Sequence, residues 1–333
     1  METTRVGIDV SAKSLDVRTQ DRRDAPRRAL KFDNTSADHQ KLIKRLTKRG
    51  RSARVVVEAC GTFHLDLALA FHRAPRIEVM VVNPRAARDF AQALMRRSKT
   101  DGTDAEDLLE FNWRMEFIPW QPPPQQMWEL RALTRRMVAV ASQIAREKNR
   151  LHAQKHQRAS GAVRQDLEVS IRFHQRRIQR LEEQALNLVR QHPDLQEALA
   201  HLTSIKGIAQ TSGLQILGEI AMLDRQMTPR QVVAHTGLDP RHFESGTSVS
   251  RPTRISKVGN SHLRAALFLP AMTARRFDPN VRAFYEKLLE RGKLPMQAVV
   301  AVMRKLLHSI WAMLKYGVDF DGEKFHALEA RKA

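Results

Sequence analysis

The sequence predicts a mixed α/β amino-terminal domain at 1–117, a long helical arm at 127–192 and a mainly helical carboxy-terminal domain at 193–333. Three observations lead to this division. Short apolar runs alternate with helical patterns only in the first third of the chain. Mostly apolar residues then recur every three or four positions through the arm, apart from a break at Glu147, which is typical of helices that pair. Between them the linker 118–126, IPWQPPPQQ, contains three consecutive prolines that cannot continue a helix.

Five strands are predicted in the amino-terminal domain, with helices between the later ones. The first three strands are TRVGIDV, SLDVRTQ and ALKFD. ARVVVEA and IEVMVVN are continuous apolar runs, as expected for parallel strands that are buried on both faces. The helical stretch DHQKLIKRLTKRG ends at Gly50, which is a favourable helix stop. Pro84 suits the first turn of the helix that follows the last strand.

The arm carries an excess of positive charge. Residues 131–190 hold 14 Lys and Arg against 5 Asp and Glu, and ASGA at 159–162 is the predicted turn of a helical hairpin. A solvated helix pair that only dimerises is one interpretation, but the one-signed excess favours dimerisation together with nucleic-acid contact. From 193 onwards the predicted helices are separated by loops, of which RHFESGTSVSRPTRISKVGNSH is the longest and is expected to be an irregular polar loop.

Composition favours nucleic acid as the partner of the whole chain. Lys and Arg number 57 against 36 Asp and Glu, a formal net charge of +21, and the phosphate backbone attracts such charge whatever its sequence. A membrane-surface protein is the competing interpretation, but the sequence contains no basic amphipathic anchor, lipidation signal or apolar run of about 18 residues. METTRVGIDV is not a signal peptide, and the single cysteine, Cys60, excludes an internal disulfide. The expected location is the bacterial cytoplasm, in association with the nucleoid and not with a membrane.

Two acidic residues lie at the ends of apolar strands in the amino-terminal domain. Asp9 lies in VGIDVS and Glu58 ends VVVE, and each taken alone is most simply a strand-end acid next to a loop. An aspartate inside an apolar strand requires a partner, because a buried charge is costly. If the two strands are neighbours in one sheet, both carboxylates meet at one edge, where they offer the hard oxygen ligands that Mg²⁺ prefers.

A second pair of acids lies in the mixed-charge stretch RRSKTDGTDAEDL. Asp101 and Asp104 are three residues apart and share a face at the start of a helix, whereas Glu106 and Asp107 are interpreted as helix-start acids. Four convergent carboxylates repel one another unless cations neutralise them. Two Mg²⁺ ions about 3.5–4 Å apart, or Mn²⁺ in their place, would do so and would clamp both oxygens of a phosphoryl transfer. The preceding cations are candidates for holding the phosphate backbone: Arg96, Arg97 and Lys99.

The stretches VGIDVSAKSLDV, VVVEACGTFHLDLA and RRSKTDGTDAEDL resemble, in order and spacing, the amino-terminal domain of the IS110/IS1111 (IS116/IS110/IS902) transposases, which are DEDD recombinases related to the Piv DNA invertase. LTSIKGIAQTSGLQILGEI and HTGLDPRHFESGTSVSRPTRISKVGNSHLRAALFLPA resemble the second domain of the same family. The resemblance implies a RuvC-like ribonuclease-H fold for the first domain. The four acidic ligands of the family motif correspond to Asp9, Glu58, Asp101 and Asp104. One departure is Lys206-Gly207, where a common form of the family has Pro-Gly.

The resemblance also implies a catalytic serine in the carboxy-terminal domain. Ser245 best fits the Ser-Gly step, with Ser248 as the reserve candidate, although the family often has two adjacent serines before Gly-Gly where this chain has ESGTS. A serine beside a glycine in a polar loop is ordinarily a turn residue, and a free hydroxyl is a weak nucleophile until a base or metal activates it. The carboxylate–metal cluster would supply that activation. Ser245 would then attack a DNA phosphate and hold the broken strand as a phosphoserine.

Cations in RPTRISKVGNSHLR adjoin the proposed nucleophile. A solvated loop is the alternative, but Lys and Arg in a loop before a helix suit contacts with phosphates. The candidate nucleic-acid-binding residues of this stretch are Arg251, Arg254, Lys257, Asn260 and Arg264. SIKGIAQTSG further resembles a helix–hairpin–helix element, in which backbone amides near Gly207 hold a phosphate, and a simple tight turn is the other interpretation.

The sequence therefore predicts a DNA transposase or recombinase of an insertion sequence, which cuts and exchanges strands with Mg²⁺ and a serine nucleophile. The resemblance implies double-stranded donor and target DNA, a noncoding bridge RNA that pairs with both, and a homotetramer built as a dimer of dimers. A RuvC-like junction nuclease that uses water in place of serine is the first alternative. A non-catalytic scaffold for RNA or DNA is the second, although a scaffold has no need for four carboxylates in a basic protein.

Overall fold

The computed structural model of the chain describes residues 3–59, 61–95, 101–156, 160–245 and 249–328, and the side chains of 101, 102, 155, 156 and 242–252 are outside this description. The chain forms two compact units, Met1–Pro122 and Pro123–Ala333, so the boundary falls inside the proline run. A sheet with flanking helices in the first unit and helices in most of the second confirm the predicted class, mixed α/β followed by mainly helical structure. The finer division into catalytic domain, linker, arm and terminal domain stays a prediction.

The first unit is built on a five-stranded sheet with the order β3-β2-β1-β4-β5. Its strands are β1 Thr3–Val10, β2 Ser14–Gln20, β3 Arg28–Asp33, β4 Ser52–Glu58 and β5 Ile77–Val82. The first three pair antiparallel, as short connections require, and β4 and β5 then add in parallel through helical crossovers. The two continuous apolar runs of the sequence are the two strands of this parallel part, and all five strands lie where the sequence predicts them.

Helices cover both faces of the sheet. The helices of the first unit are α1 Ser36–Leu46, α2 Leu65–Arg73, α3 Pro84–Ala93 and α4 Asp101–Arg114. On one face, α1 and α2 bury Leu42 and Phe71 against strand residues that include Ile8. On the other face, α4 buries Leu108 against Val56 of β4. Each helix thus contributes an apolar stripe to one side of a two-faced core.

Helix α4 lies directly on β1, and a glycine makes this close approach possible. A Cβ atom at Gly7 would stand 2.3 Å from the amide nitrogen of Leu109 and 2.4 Å from the carbonyl oxygen of Ala105, so no other residue fits there without displacing the helix backbone. The Nδ2 group of Asn112, which is 3% exposed, donates to the carbonyl oxygen of Val6 at 2.9 Å. These contacts fix the position of α4 along the strand.

The second unit begins with two long helices joined at 157–160, α5 Gln125–His156 and α6 Gly161–Arg190. The elements that follow are α7 Pro193–Ser204, α8 Gln210–Ile220, α9 Pro229–Thr236, β6 Pro240–Ser245, β7 Val249–Ile255, α10 Ser261–Ala266, α11 Phe268–Phe277, α12 Pro279–Glu290, α13 Pro295–Tyr316 and α14 Gly322–Phe325. One apolar core runs through them, and α8 and α13 bury residues such as Leu214 and Leu306 in it. In the described part of the chain, no helix is both long enough and apolar enough to cross a membrane.

The expectation of an irregular polar loop after α9 is wrong. Strands β6 and β7 pair antiparallel, with Glu244 opposite Ser250, Ser245 opposite Val249 and a register shift between Arg241 and Phe243. The backbone groups that face each other in a two-stranded ribbon pair directly, and neither strand needs the alternating apolar pattern that marks a strand packed on a core. Ser245 therefore closes a strand and does not lie in an irregular loop.

Candidate active site

Asp9 and Glu58 lie side by side at the carboxyl ends of neighbouring parallel strands. Ile8 of β1 pairs with Val57 of β4, so the two acids come one residue later on each strand. Side chains alternate between the faces of a sheet, and both carboxylates therefore project on the face that carries Gly7. Both residues are half-buried. The sheet thus brings the two strand-end acids together, as the sequence predicts.

The start of α4 belongs to the same edge of the sheet. The Arg5 side chain donates to Asn112 Oδ1 at 3.1 Å, whereas Gly7 contacts Ala105 and Leu109, so α4 runs antiparallel to β1. A strand advances about 3.3 Å per residue and a helix about 1.5 Å, so two further residues along β1 correspond to about four residues back along α4. This brings Asp9 level with the first turn of the helix, which holds Asp101 and the half-buried Asp104. The side chain of Asp101 is outside the described residues.

A third strand adds an acid that the sequence reasoning missed. Asp16 of β2 is the direct partner of Asp9, and its side chain is 15% exposed. The register follows from the short connection after Val10, which pairs residues symmetrically about the turn, and this signal is readable in the sequence. Lys31 of β3 lies 3.7 Å from Asp16 on its other side. Like charges directly opposite each other in a sheet destabilise it, so this edge favours a cation.

The donor set fits a hard divalent cation. Carboxylate oxygens are the ligands that Mg²⁺ takes from proteins, and Asp9, Asp16 and Glu58 occupy adjacent strands on one face. Strands about 4.8 Å apart spread these acids in a row. Among the described side chains, which do not include that of Asp101, no three His, Cys, Asp or Glu residues converge on one point. Completing the site therefore depends on the acids of α4.

The acids further along α4 are held by arginines. Glu106, interpreted from the sequence as a helix-start acid, pairs with Arg27 and lies 3.6 Å from Arg18. Glu110 also pairs with Arg27, and Arg114 Nε donates to it at 2.7 Å. Burial by itself would raise the pKa of Glu110, but the hydrogen bond from Arg114 and the charge of Arg27 outweigh it, so the pKa lies below its usual value. Glu106 and Glu110 thus fasten α4 to the strands beneath it.

Asn34 and His39 form a hydrogen-bonded pair that supports the loops after β1 and β4, the strands that carry Asp9 and Glu58. Asn34 Nδ2 donates to the carbonyl oxygens of Ser11, just after β1, at 2.9 Å and of Phe63, after β4, at 3.1 Å. Its Oδ1 lies 2.8 Å from His39 Nε2. His39 is 3% exposed, and burial lowers its pKa despite the nearby Asp66, so the neutral ring donates to Asn34. Neither residue belongs to a motif in the sequence, because their role depends on loops distant along the chain.

The second predicted component, Ser245, is the last residue of β6. Its side chain and that of Arg251 are outside the described residues, as are Ser248, Cys60, Arg96, Arg97 and Lys99. Arg254 and Lys257 are exposed, which suits contact with phosphates. The assignments of the serine and of these cations to nucleic acid stay predictions.

Two predicted phosphate-binding residues have structural partners. Asn260 caps α10 by accepting the amides of His262 at 3.0 Å and Leu263 at 3.1 Å. Arg264 Nη1 donates to the carbonyl oxygen of Thr236 at 2.8 Å. Both side chains therefore stabilise the region around the hairpin, and their contact with nucleic acid stays a prediction.

The helix–hairpin–helix resemblance corresponds to α7, a short turn and α8. Gly207 in this turn has φ 120°, and a Cβ atom there would lie 2.7 Å from the amide nitrogen of Ala274. The glycine is therefore required both by its backbone conformation and by close packing on α11. Packing explains this glycine without a bound phosphate.

Comparison with known proteins gives matches along most of the chain. A transposase family model for the DEDD domain of IS110 elements matches residues 6–156, and one described as transposase IS116/IS110/IS902 family matches residues 199–286. The pilin gene-inverting proteins of Moraxella bovis and Moraxella lacunata are 29% and 28% identical over 272 residues, 80% of this chain and 81% of each relative. An uncharacterized 43.6 kDa protein of insertion element IS110 from Streptomyces coelicolor is 28% identical over 120 residues, 36% of this chain and 29% of that protein. The first matched range contains Asp9, Glu58 and Asp104, and the second contains Ser245.

Proposed function

Because the chain belongs to the IS116/IS110/IS902 family of transposases, we propose that it is a metal-dependent DNA recombinase that cuts and rejoins strands at the ends of an insertion sequence. The observation that carries the proposal is the placement of Asp9 and Glu58 on one face of the sheet, level with the start of α4. The Moraxella relatives are named for inverting a pilin gene, and gene inversion is a strand-exchange reaction, which supports recombination over simple hydrolysis.

The fold proposed for the first unit is that of RuvC-like ribonuclease-H domains. Three antiparallel strands followed by two parallel ones, in the order β3-β2-β1-β4-β5, support this assignment. In this sheet the carboxyl ends of β1 and β4 lie at the same edge. Helix α4 lies across the face that carries Gly7 and Val56. The acids thus lie on rigid elements, which hold catalytic groups more accurately than loops do.

The residues that would hold two Mg²⁺ ions, or Mn²⁺, are Asp9, Glu58, Asp101 and Asp104. Bound there, the ions would neutralise charge on the phosphate and favour the ionised form of an attacking hydroxyl. The chain contributes the positions of the ligands: the sheet fixes Asp9 and Glu58, and the pairing of Glu106 and Glu110 with Arg27 holds α4 against it. The row of carboxylates on neighbouring strands supports a cation at this edge.

The proposed nucleophile is Ser245. Its Oγ attacks phosphorus and loses its proton, the Oγ–P bond forms, and the P–O bond to one deoxyribose breaks as the departing oxygen takes up a proton. One phosphodiester replaces another, so a second DNA hydroxyl can reverse the step and join a new strand. Ser245 lies at the end of β6 farthest from the pairing of Pro240 with Ile255, which supports a role in reaching a substrate.

Nucleic acid is the proposed partner in three forms: donor DNA, target DNA and a noncoding bridge RNA. The net charge of +21 and the basic arm support this, because Lys and Arg side chains attract the phosphate backbone whatever its base sequence. A homotetramer is proposed because strand exchange joins two duplexes and needs several nucleophiles. The proposed place of action is the bacterial nucleoid, where the donor and target DNA lie.

A purification experiment tests the guide. The protein is isolated from cells that carry its native flanking DNA, and the RNA that accompanies it is sequenced. A specific RNA transcribed from those flanks is the expected result, and random cellular RNA would contradict the bridge-RNA proposal.

The same preparation, incubated with a labelled duplex of the native element end and Mg²⁺, should yield a covalent protein–DNA adduct. A junction nuclease that uses water would cleave without any adduct.

A further inference from the structure

A carboxylate on α8 of the second unit is almost completely buried and has no part in the proposed reaction. Glu219 on α8 is 3% exposed. Arg135 of α5 donates to it from Nε at 2.6 Å and from a second guanidinium nitrogen at 3.0 Å. Asn260, which follows β7, donates to Glu219 Oε2 at 2.7 Å, and Arg131 Nε lies 3.4 Å from the same oxygen. One carboxylate thus joins three segments of the chain.

This carboxylate is ionised. Burial by itself would raise the pKa of Glu219, but the hydrogen bonds from Arg135 and Asn260, together with the charge of Arg131, outweigh it and lower the pKa. A buried ion pair is weak evidence for a role in stability, because desolvation offsets much of its attraction. It does demand a specific geometry, since removing either partner leaves a buried charge or polar group unsatisfied. The carboxylate therefore fixes the relative positions of the segments that it joins.

On one side, Glu219 fixes the base of the hairpin that carries Ser245. The backbone amide of Asn260 donates to the carbonyl oxygen of His235, at the end of α9, at 2.7 Å. A Cβ atom at the intervening Gly259 would lie 2.0 Å from that same oxygen, so the chain passes here in close contact. Its φ of 106° is also a conformation that favours glycine. Asn260 is therefore held by its backbone to α9 and by its side chain to Glu219.

Further hydrogen bonds join the residues just before Gly259 to the residues that precede β6. The amide of Lys257 donates to the carbonyl oxygen of Gly237 at 3.1 Å, and that of Ser256 to Asp239 at 2.9 Å. The Ser256 hydroxyl donates to Asp239 Oδ1 at 2.6 Å. Beyond them the pairing of β6 with β7 continues, up to Ser245 opposite Val249. The hydrogen bonds of Ser256 and Lys257 thus hold the ribbon at its base.

On the other side, Glu219 fixes the first turns of α5, the helix that begins the arm. A Cβ atom at the adjacent Gly218 would lie 2.5 Å from Thr134 Oγ1, so α8 and α5 touch at this level. Arg131 and Arg135 are one helical turn apart on α5 and both approach the carboxylate. Glu219 therefore links α5 directly to Asn260.

We propose that Glu219 is a positioning residue that holds the base of the β6–β7 hairpin to α5 and thereby sets the location of Ser245 during strand cleavage. The inference rests on the proposed function, in which Ser245 is the nucleophile. From Pro240 to Ser245 the ribbon extends about 17 Å, so a tilt of about 10° at its base moves the serine by about 3 Å. A misplacement of the reacting atom by about 1 Å already lowers the rate on the order of 100-fold. The rate of cleavage should therefore depend on how the base of the ribbon is held.

A pair of reciprocal substitutions isolates this role. In Glu219→Gln the NH2 group must face either the Asn260 amide or Arg135 Nε, donor against donor in both orientations, and the charge between the arginines is lost. In Asn260→Asp two carboxylates face each other, although aspartate still caps α10. In the double variant, the glutamine amide at position 219 donates to one oxygen of the new carboxylate at position 260, and the other oxygen keeps the cap. One negative charge then remains beside Arg131 and Arg135. Each single variant should disturb the base, and the double variant should restore it.

The control is Val281→Ala on α12, a fully buried residue in the same core, which lowers stability without touching the hairpin. Two quantities are measured in the full-length protein. One is hydrogen exchange at the amides of Lys257 and Asn260. The other is the rate of covalent adduct formation on a labelled duplex of the native element end, with the RNA that accompanies the protein from cells and Mg²⁺. The melting temperature is recorded for every variant.

The expected result is that each single variant exchanges at least about 10-fold faster at the two amides and forms adduct on the order of 100-fold more slowly, whereas the double variant returns to within about 3-fold of the original chain. Val281→Ala should keep both quantities despite a comparable fall in melting temperature. The inference is overturned if the double variant is no better than the singles, or if Val281→Ala loses adduct formation equally. Adduct formation by Ser245→Ala would instead overturn the proposed nucleophile, which is a distinguishable outcome.

Discussion

The acidic face of the first unit and the serine hairpin of the second hold their chemical groups in opposite ways. Asp9 and Glu58 lie in the two central strands of a five-stranded sheet, whose neighbours fix them on both sides. Ser245 ends a strand of a two-stranded ribbon whose described tertiary contacts lie at its base. An isolated ribbon of two strands is marginally stable, whereas a central strand is constrained along its length. The difference suggests that the carboxylates are preorganised and that the serine depends on how its support is held.

Ser245→Ala should give the largest effect. Without its hydroxyl the chain forms no phosphoserine, so adduct formation and recombination should fall by more than about 1,000-fold, as for other nucleophile removals. The measurement is a labelled element-end duplex resolved by denaturing gel. Ser248→Ala is the matched control and should retain activity. If the two variants exchange these results, Ser248 is the nucleophile.

Asp104→Asn should give the next largest effect, because it removes a proposed metal ligand from the acidic face of the first unit. Cleavage should fall by at least about 100-fold, the upper end of what outer-shell changes alone cause. Mg²⁺ or Mn²⁺ binding, measured by titration calorimetry, should weaken in parallel. Asp89→Asn, an exposed acid on α3, is the control and should change neither quantity. If Asp104→Asn binds the metal as tightly as the original chain, Asp104 is not a ligand.

Gly7→Ala probes the rigidity of the acidic face. The added methyl group would lie 2.3 Å from the backbone of α4, so the helix must shift, at a cost of about 1–3 kcal/mol in the free energy of unfolding. Urea denaturation measures that loss. Gly161→Ala, where a methyl group meets nothing within 4 Å, is the control and should be neutral or slightly stabilising. Equal effects of the two changes would show that α4 is not fixed on β1 at this glycine.

Asn34→Ala tests whether the support beneath the acids matters as much as the support beneath the serine. It removes two hydrogen bonds that hold the loops after β1 and β4, so metal affinity should fall by about 10-fold, as for other second-sphere residues. The melting temperature should change by only a few degrees. Asn83→Ala, which removes only the cap of α3, is the control, and its metal affinity should be unchanged. No difference in affinity between the two variants would contradict the proposed support.

Glu110→Gln should have the smallest effect and is visible mainly as a pH dependence. The folded-state pKa of Glu110 lies below its ordinary value of 4.5, so its contribution is present above that value and is lost as the pH falls through the folded pKa. The contribution is up to about 1 kcal/mol, as for a partly exposed pair. Urea midpoints between about pH 6 and pH 3 should therefore depend less on pH in the variant than in the original chain. An unchanged slope would mean that Glu110 does not stabilise α4 in this way.

Local patterns in the sequence predict much of the first unit. Apolar runs predict β4 and β5, and three residues of spacing put Asp101 and Asp104 in one helical turn. The pairing of Asp9 with Asp16 could also have been predicted from the sequence, because a short turn fixes the register of a hairpin. The ribbon β6–β7 was predicted incorrectly as a loop, because its strands carry no alternating apolar pattern.

Apart from the ribbon β6–β7, the sequence by itself determined the kinds of element, their order, the class of the fold and the acids near the ends of β1 and β4. Only the tertiary structure decided that Asn34 and His39 support the loops beside those acids, and that Glu219 joins α5 to the base of the hairpin. The physical reason is the range of the interactions. Helix and strand patterns depend on neighbours within a few residues, whereas the side chains of Asn34 and Glu219 find partners tens of residues away. Which polar groups meet is settled only when the apolar core has closed around them.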